Sequence, residues 1–276
     1  MKLPIFLSVL ICTSELSAQV LKVNSVQKLN IPHQVEKIML APSGDFLLES
    51  NFNNQGLIKI DLKTFNEQVI TNAAGAGYNA SILKNGDIIY REVTKEPIKK
   101  ISIRRYNTKK ETSTVLLAAT RENIQTTNLA DADNIITNND FQLQLTLNGQ
   151  TSVLTPLGKE ARYIWPAISP NKKKLLFFVS GDGAYVTDID GKKPIALGIL
   201  RAAKWYNDSI VVGQRDIDNG EITTSSQIIA KNIMTNQEQI LTNDSVIAMY
   251  PSVSNKGDKI LFSTPQGDAF LINIIK

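Results

Sequence analysis

The segment ARYIWPAISPNKKKLLFFVSGDGAYVTDIDGKKPIALG, residues 161–198, carries the clearest statement of how this chain folds. A strand-like run enters, Ser169-Pro170-Asn171 turns it, and the apolar run Leu175–Val179 leaves the turn. Gly181-Asp182-Gly183 makes a second turn, AYVTDID a third run, Asp190-Gly191 a third turn and KPIALG a last short run. Gly, Asn and Asp tolerate the backbone angles of tight turns, and the short runs between them have strand character. The segment reads as a four-stranded meander.

The same order recurs five more times with weaker likeness. It runs IMLAPSGDFLLES, GLIKIDLKT, EQVIT from residue 38; YNASILKNGDIIYREV, KKISIRRYN, STVLLA from 78; and IQTTNLADADNIITNND, FQLQLTLNG, TSVLTP from 124. It continues as AAKWYNDSIVVGQRD, SQIIAKNIMT, EQILT from 202, and ends with YPSVSNKGDKILFSTPQGDAFLINIIK from 250. About 40 residues per block is the period of propeller blades. The last block has three runs where the others have four, and NSVQKLNI (24–31) stands near the N-terminus with no block before it. Pairing that strand with the last block closes a ring and covers a sheet edge. The expectation is an all-β, six-bladed β-propeller of four-stranded antiparallel blades, closed by the N-terminal strand joining the last blade; seven blades is the alternative count. The expected blades are 34–72, 73–118, 119–157, 158–198, 199–242 and 243–276 plus strand 24–31, in one domain from 19 to 276.

Residues 1–18 read as a secretory signal peptide: Lys2, the apolar core Leu3–Ile11, then small and polar residues up to Ser17-Ala18. Cys12 is the only cysteine. Ile11 before it disfavours lipoprotein processing, which wants a small residue there. Without the leader no cysteine remains, which excludes disulfides, thiolate metal sites and a cysteine nucleophile. The leader holds one Lys and one Glu, so the net charge stays at +4. That mild charge favours no nucleic acid. No later apolar run is long enough to span a bilayer as a helix.

Ile164-Trp165-Pro166-Ala167-Ile168-Ser169-Pro170-Asn171, followed by Leu175-Leu176-Phe177-Phe178, resembles the repeat of TolB-type β-propellers. Tyr250-Pro251-Ser252-Val253-Ser254-Asn255-Lys256-Gly257-Asp258 is a second copy, and Ala41-Pro42-Ser43-Gly44-Asp45 a partial third. The second, third and fifth blocks keep the strand rhythm and lose the Ser-Pro. The resemblance implies the architecture. It leaves activity open, because such propellers serve as binding platforms, enzyme scaffolds and gates. TolB itself has an additional N-terminal domain, for which this chain leaves no room.

Catalytic constellations are scarce. His33, the only histidine, lies in the turn Pro32-His33-Gln34 and reads as a solvated turn residue; no Gly-x-Ser-x-Gly elbow occurs. Calcium needs only oxygen ligands, and Asp216, Asp218 and Glu221 form a candidate loop without EF-hand spacing. The alternative for that loop is a hairpin turn between the second and third strands of the fifth blade. Asp131, Asp133 and Asn134 are a weaker cluster. By likeness to six-bladed lactonases, Glu36, Asn79 and Asn128 are channel-metal candidates.

Aromatic residues are more suggestive. Tyr78, Tyr163, Trp165, Trp205, Tyr206 and Tyr250 all fall in or beside an expected innermost strand. Arg162, Arg201 and Lys204 lie in the same region and suit an anionic group. Either these rings pack between blades, or they line a mouth that binds peptide or sugar. The basic run Lys99, Lys100, Arg104, Arg105, Lys109 and Lys110 reads as solvated charge discouraging edge pairing, or as a rim patch for an anionic surface.

The expectation is therefore an exported, non-enzymatic propeller acting as a protein- or peptide-binding platform in the cell envelope, periplasmic or secreted and needing no cofactor. Its candidate contacts are Tyr78, Arg162, Tyr163, Trp165, Arg201, Lys204, Trp205 and Tyr250. The alternatives are a channel-site enzyme or carbohydrate-binding protein, with calcium possible, and an accessory subunit of an envelope complex.

Overall fold

A computed structural model describes residues 19–94, 97–121 and 134–275 of the chain. Twenty-three strands form six antiparallel sheets among these residues. After β1 (Lys22–Lys28), blade one holds β2 (Lys37–Leu40), β3 (Phe46–Asn51), β4 (Gln55–Asp61) and β5 (Glu67–Thr71). Blade two holds β6 (Ser81–Ile82), β7 (Ile88–Thr94), β8 (Lys100–Asn107) and β9 (Thr112–Thr120). Blade three shows β10 (Asn134–Asn139), β11 (Gln142–Leu147) and β12 (Gln150–Leu154); the preceding run expected from residue 124 lies largely outside the described residues. Blade four has β13 (Tyr163–Ile168), β14 (Lys174–Val179), β15 (Gly183–Asp188) and β16 (Ile195–Gly198). Blade five has β17 (Arg201–Trp205), β18 (Ile210–Asp218), β19 (Thr223–Asn232) and β20 (Glu238–Ile240). Blade six joins β21 (Met249–Val253), β22 (Lys259–Ser263) and β23 (Ala269–Ile275) to β1 (Lys22–Lys28).

The N-terminal strand closes the ring. Lys22 faces Ile275 and Lys28 faces Phe270, which makes β1 the outermost strand of blade six. Pairing ends earlier than the expected residue 31. Leu29 still donates to the Ala269 carbonyl, but Pro32 has no N–H, and the chain then crosses to the inner edge of blade one.

The Ser-Pro motif acquires a physical role at the turn between first and second strands. Ser169 Oγ accepts the N–H groups of Lys173 and Lys174, and Ser254 Oγ accepts those of Asp258 and Lys259. One side-chain oxygen thus satisfies two turn donors that no strand pairs.

There is no single central core. Apolar residues gather between neighbouring sheets: Leu48, Ile88 and Tyr90 between blades one and two, Leu145, Tyr163 and Phe177 between three and four. Leu176, Val211 and Ile229 fill the space between four and five, and Val212, Ile228 and Phe262 that between five and six. The closure seam between six and one holds Leu29, Val35, Leu47, Ile60 and Leu261. Fully burying such a side chain contributes about 1.5–3 kcal/mol, so each blade depends on both neighbours.

Candidate functional site

In an antiparallel meander the starts of the first strands, the second-to-third turns and the links between blades all lie at one end of the ring. Three first strands are bulged there, between Ile164 and Ala167, Arg201 and Lys204, and Met249 and Ser252. Each bulge holds a non-glycine residue at positive φ: Trp165 at 52°, Ala202 at 48° and Tyr250 at 53°. The bulges explain the prolines after Trp165 and Tyr250, since proline has no ladder donor and fits a sheet at a bulge. They also turn both rings outward, leaving Trp165 43% and Tyr250 53% exposed.

Other apolar groups surround them. Tyr78, Ile98, Phe141, Ile199, Ile217 and Ile222 are all exposed on links, turns or strand ends of this end. The remaining exposed large apolar side chains among the described residues lie on strands facing outward or at the ring's closure, except Met234, on a turn of the opposite end. The other turns of that opposite end are mostly polar and several close on their own side chains, as when Asn207 Oδ1 accepts the N–H groups of Ser209 and Ile210.

Polar groups hold the apolar end in place. Arg201 Nη1 lies 2.8 Å from Asp216 Oδ2, whose carboxylate is buried. Gln214, also buried, accepts the Tyr250 N–H at 2.6 Å. Arg91 stacks 3.9 Å from the centre of the Tyr78 ring, and Arg162 sits 4.1 Å from that of Phe141. Trp165 leans on Phe178 at 5.4 Å between ring centres. Lys204 is exposed on the innermost strand of blade five and has no hydrogen-bond or ion-pair partner among the described residues.

The eight candidate contacts therefore separate. Tyr78, Trp165, Arg201 and Tyr250 lie at the same open end on four different blades, with Arg162 beside Phe141. Tyr163 is fully buried, accepting the Leu157 N–H and donating to the Gly158 carbonyl, so it supports the face from beneath. Trp205 is half-buried between blades four and five, its Nε1 donating to the Ala167 carbonyl. For these two the packing alternative describes what the rings do. Phe141, Ile217 and Ile222 went unnoticed in the sequence, where alternation extends into the turns without saying which side chains stay uncovered.

Asp216, Asp218 and Glu221 lie along the hairpin of β18 and β19. Asp216 is engaged by Arg201, while Asp218 Oδ1 accepts the Gly220 N–H in the turn. Among the described residues, no group of three His, Cys, Asp or Glu side chains is placed to hold a metal ion. Asn128, Asp131 and Asp133 lie outside the described residues, and Glu36 is exposed at the entrance to blade one. Of the basic run, Arg104 pairs with Glu92 and Arg105 with Asp87.

His33 lies in an exposed bend, as the sequence suggests, but its ring also reaches into the closure seam. Its Nε2 lies 3.0 Å from both oxygens of Glu49, and its Nδ1 3.4 Å from Glu67. Glu49 is 1% exposed in the closure seam. Burial pushes the Glu49 carboxyl above its ordinary range, His33 opposes the shift and Glu67 adds to it.

No family model matches this chain, and no curated protein matches it. Solved structures do. A putative TolB from Agrobacterium tumefaciens superposes with a TM-score of 0.54 at 13% identity, over 91% of this chain and 97% of that one. An oligogalacturonate lyase in complex with manganese superposes with a TM-score of 0.52 at 14% identity, over 90% of this chain and 79% of that one. At such identities the likeness is one of fold, a TolB-like six-bladed propeller. No helix among the described residues is long and apolar enough to cross a membrane.

Proposed function

We propose that this chain is an exported, non-enzymatic β-propeller that binds a protein or peptide in the cell envelope. The contact surface is the end of the ring where the first strand of each blade begins. The observation that carries this reading is the concentration of exposed Trp165, Tyr250, Tyr78, Phe141, Ile217 and Ile222 at that end, against polar turns at the other. Aromatic and branched apolar groups on a rigid rim gain binding energy when a partner excludes water from them, whereas a continuous apolar patch facing solvent has no such return. The strained bulges support the reading too, because backbone held at positive φ costs about 1–3 kcal/mol per residue and here serves to present rings outward. The leader-like segment 1–18 supports export. The only histidine, on the link into blade one, is engaged by Glu49 and Glu67, which occupies both of its ring nitrogens.

The test is affinity purification of the tagged protein from its native envelope, with mass spectrometry of what accompanies it. The expected result is a stoichiometric protein partner, retained by Lys172→Ala at the opposite end and lost with Trp165→Ala. A partner held equally well by Trp165→Ala and Tyr250→Ala, or none from the wild type, overturns the reading.

A further inference from the structure

Blade two treats its arginines unequally. Arg104 reaches Glu92 at 3.1 Å, and Arg105 grips the buried Asp87 at 2.8 Å through Nε and 2.5 Å through Nη2. Arg91, on the neighbouring strand β7, has no carboxylate among the described residues. Its Nε donates to the Gly75 carbonyl at 3.3 Å, and its guanidinium lies against the Tyr78 ring. A Cβ at Gly75 would stand 2.6 Å from Val93 and 3.4 Å from Arg91 Nε, so the absence of a side chain there lets the link to blade two pass over the arginine. Arg91 is half-buried and desolvated, and a charge removed from water without a counter-charge is unfavourable until something neutralises it.

The surroundings fit one kind of ligand. Arg91, Lys99, Arg121, Tyr78 and Ile101 line a cleft of about 450 Å³ at the same end of the ring as Trp165 and Tyr250. Three cations, one aromatic ring and one buried aliphatic side chain face it, and none of the three cations has an ion-pair partner among the described residues. Across the ring, the tip of the β18–β19 hairpin carries Asp218 and Glu221, both exposed. The cleft over blade two is cationic and the hairpin tip of blade five acidic, so an acidic segment is drawn to the cleft and repelled by that tip.

We propose that this cleft is an anion subsite that takes a carboxylate from an acidic peptide segment. It rests on the platform reading above and gives the partner a chemistry and an orientation. The Arg91 fork supplies paired donors to the carboxylate, Lys99 and Arg121 supply charge, and Tyr78 holds the guanidinium plane in position.

Fluorescence anisotropy of a fluorescein-labelled hexaglutamate peptide with the purified protein, at low and at moderate salt, tests the subsite. Saturable binding that weakens with salt is expected. Arg91→Ala should weaken it about tenfold or more, as loss of a charge-assisted hydrogen-bonding fork does. Arg91→Lys keeps the charge and guards against a folding artefact; it should bind weakly while melting like the wild type. Lys172→Ala, at the opposite end, should bind normally. Equal binding by wild type and Arg91→Ala overturns the inference, as does equal weakening by Lys172→Ala or tighter binding of trigalacturonate than of hexaglutamate. The partner purification separates the two levels. A partner held by Arg91→Ala and lost with Trp165→Ala leaves the platform standing without this subsite. Hexaglutamate binding that depends on Arg91, with no partner captured by the wild type, leaves the subsite standing without the platform.

Discussion

Replacing His33 by alanine tests how the ring is closed. Glu49 is buried in the seam between blades six and one, and the His33 ring nitrogen 3.0 Å from both its oxygens is its hydrogen-bond partner. His33→Ala leaves a buried carboxylate facing Glu67 with that partner gone. An orphaned buried polar group costs about 1–3 kcal/mol, and a broken buried charge pair more. Protonation of Glu49 limits the loss, and the partial exposure of His33 reduces it, so about 2 kcal/mol is expected near neutral pH. For a domain of this size that is a fall in Tm of about 4–8 °C. The pH dependence follows from Glu49, whose folded pKa is raised above 4.5. Its stabilising contribution is full below the unfolded value and is lost as pH rises through the folded one. Removing His33 raises the folded value further, so the deficit of the variant should be small near about pH 4.5 and full near about pH 8. Calorimetry at both pH values measures it, and His33→Ala combined with Glu49→Gln should recover most of the loss at the higher pH. An unchanged Tm near pH 8, or an equal deficit at both pH values, would refute the argument.

Further outcomes concern the blades themselves. Burial alone would raise the Asp87 carboxyl, but Arg105, Asn85 and the Thr108 N–H outweigh it and hold the pKa below 3.8. Asp87→Asn should therefore cost about 1.5 kcal/mol at neutral pH by thermal melting, and the difference from wild type should vanish as pH falls through the lowered pKa of Asp87. Tyr163→Phe removes a hydroxyl that accepts from Leu157 and donates to Gly158; chemical denaturation should show a loss of about 1–2 kcal/mol, and no loss would mean those groups find other partners. Gly213→Ala would place a Cβ 2.5 Å from Leu200 Cγ and 3.0 Å from the Arg201 carbonyl oxygen, an overpacking expected to cost about 1–3 kcal/mol in the same assay. A neutral result there would show that the strands of blade five can slide apart.

The apolar face was only partly legible in advance. Trp165 and Tyr250 could be placed at the start of first strands because each stands before a proline in a repeated motif. Their outward direction could not be read, since it depends on bulges that shift the ring from one side of the strand to the other. Tyr163 differs from Trp165 by two positions and looks equivalent in a list of aromatics, yet it is buried against Phe177 while Trp165 is open. The Arg91 cleft had no local signature, because Gly75 and Tyr78 come from a link, Arg91 from β7 and Arg121 from the bend after β9.

What the sequence by itself determined is the blade. Alternating runs, turn residues at fixed offsets and a period near that of propellers are local features, and hydrogen bonding between successive strands turns each block into a sheet whatever lies beside it. It also indicated closure, because NSVQKLNI stands outside any block and the last block has three runs, while the count of six over seven came from the structure. What only the tertiary structure decided is which end is apolar, which arginine meets no carboxylate among the described residues and what His33 touches. Those properties belong to surfaces made where one blade meets the next, and desolvation at such a meeting depends on residues far apart in the chain.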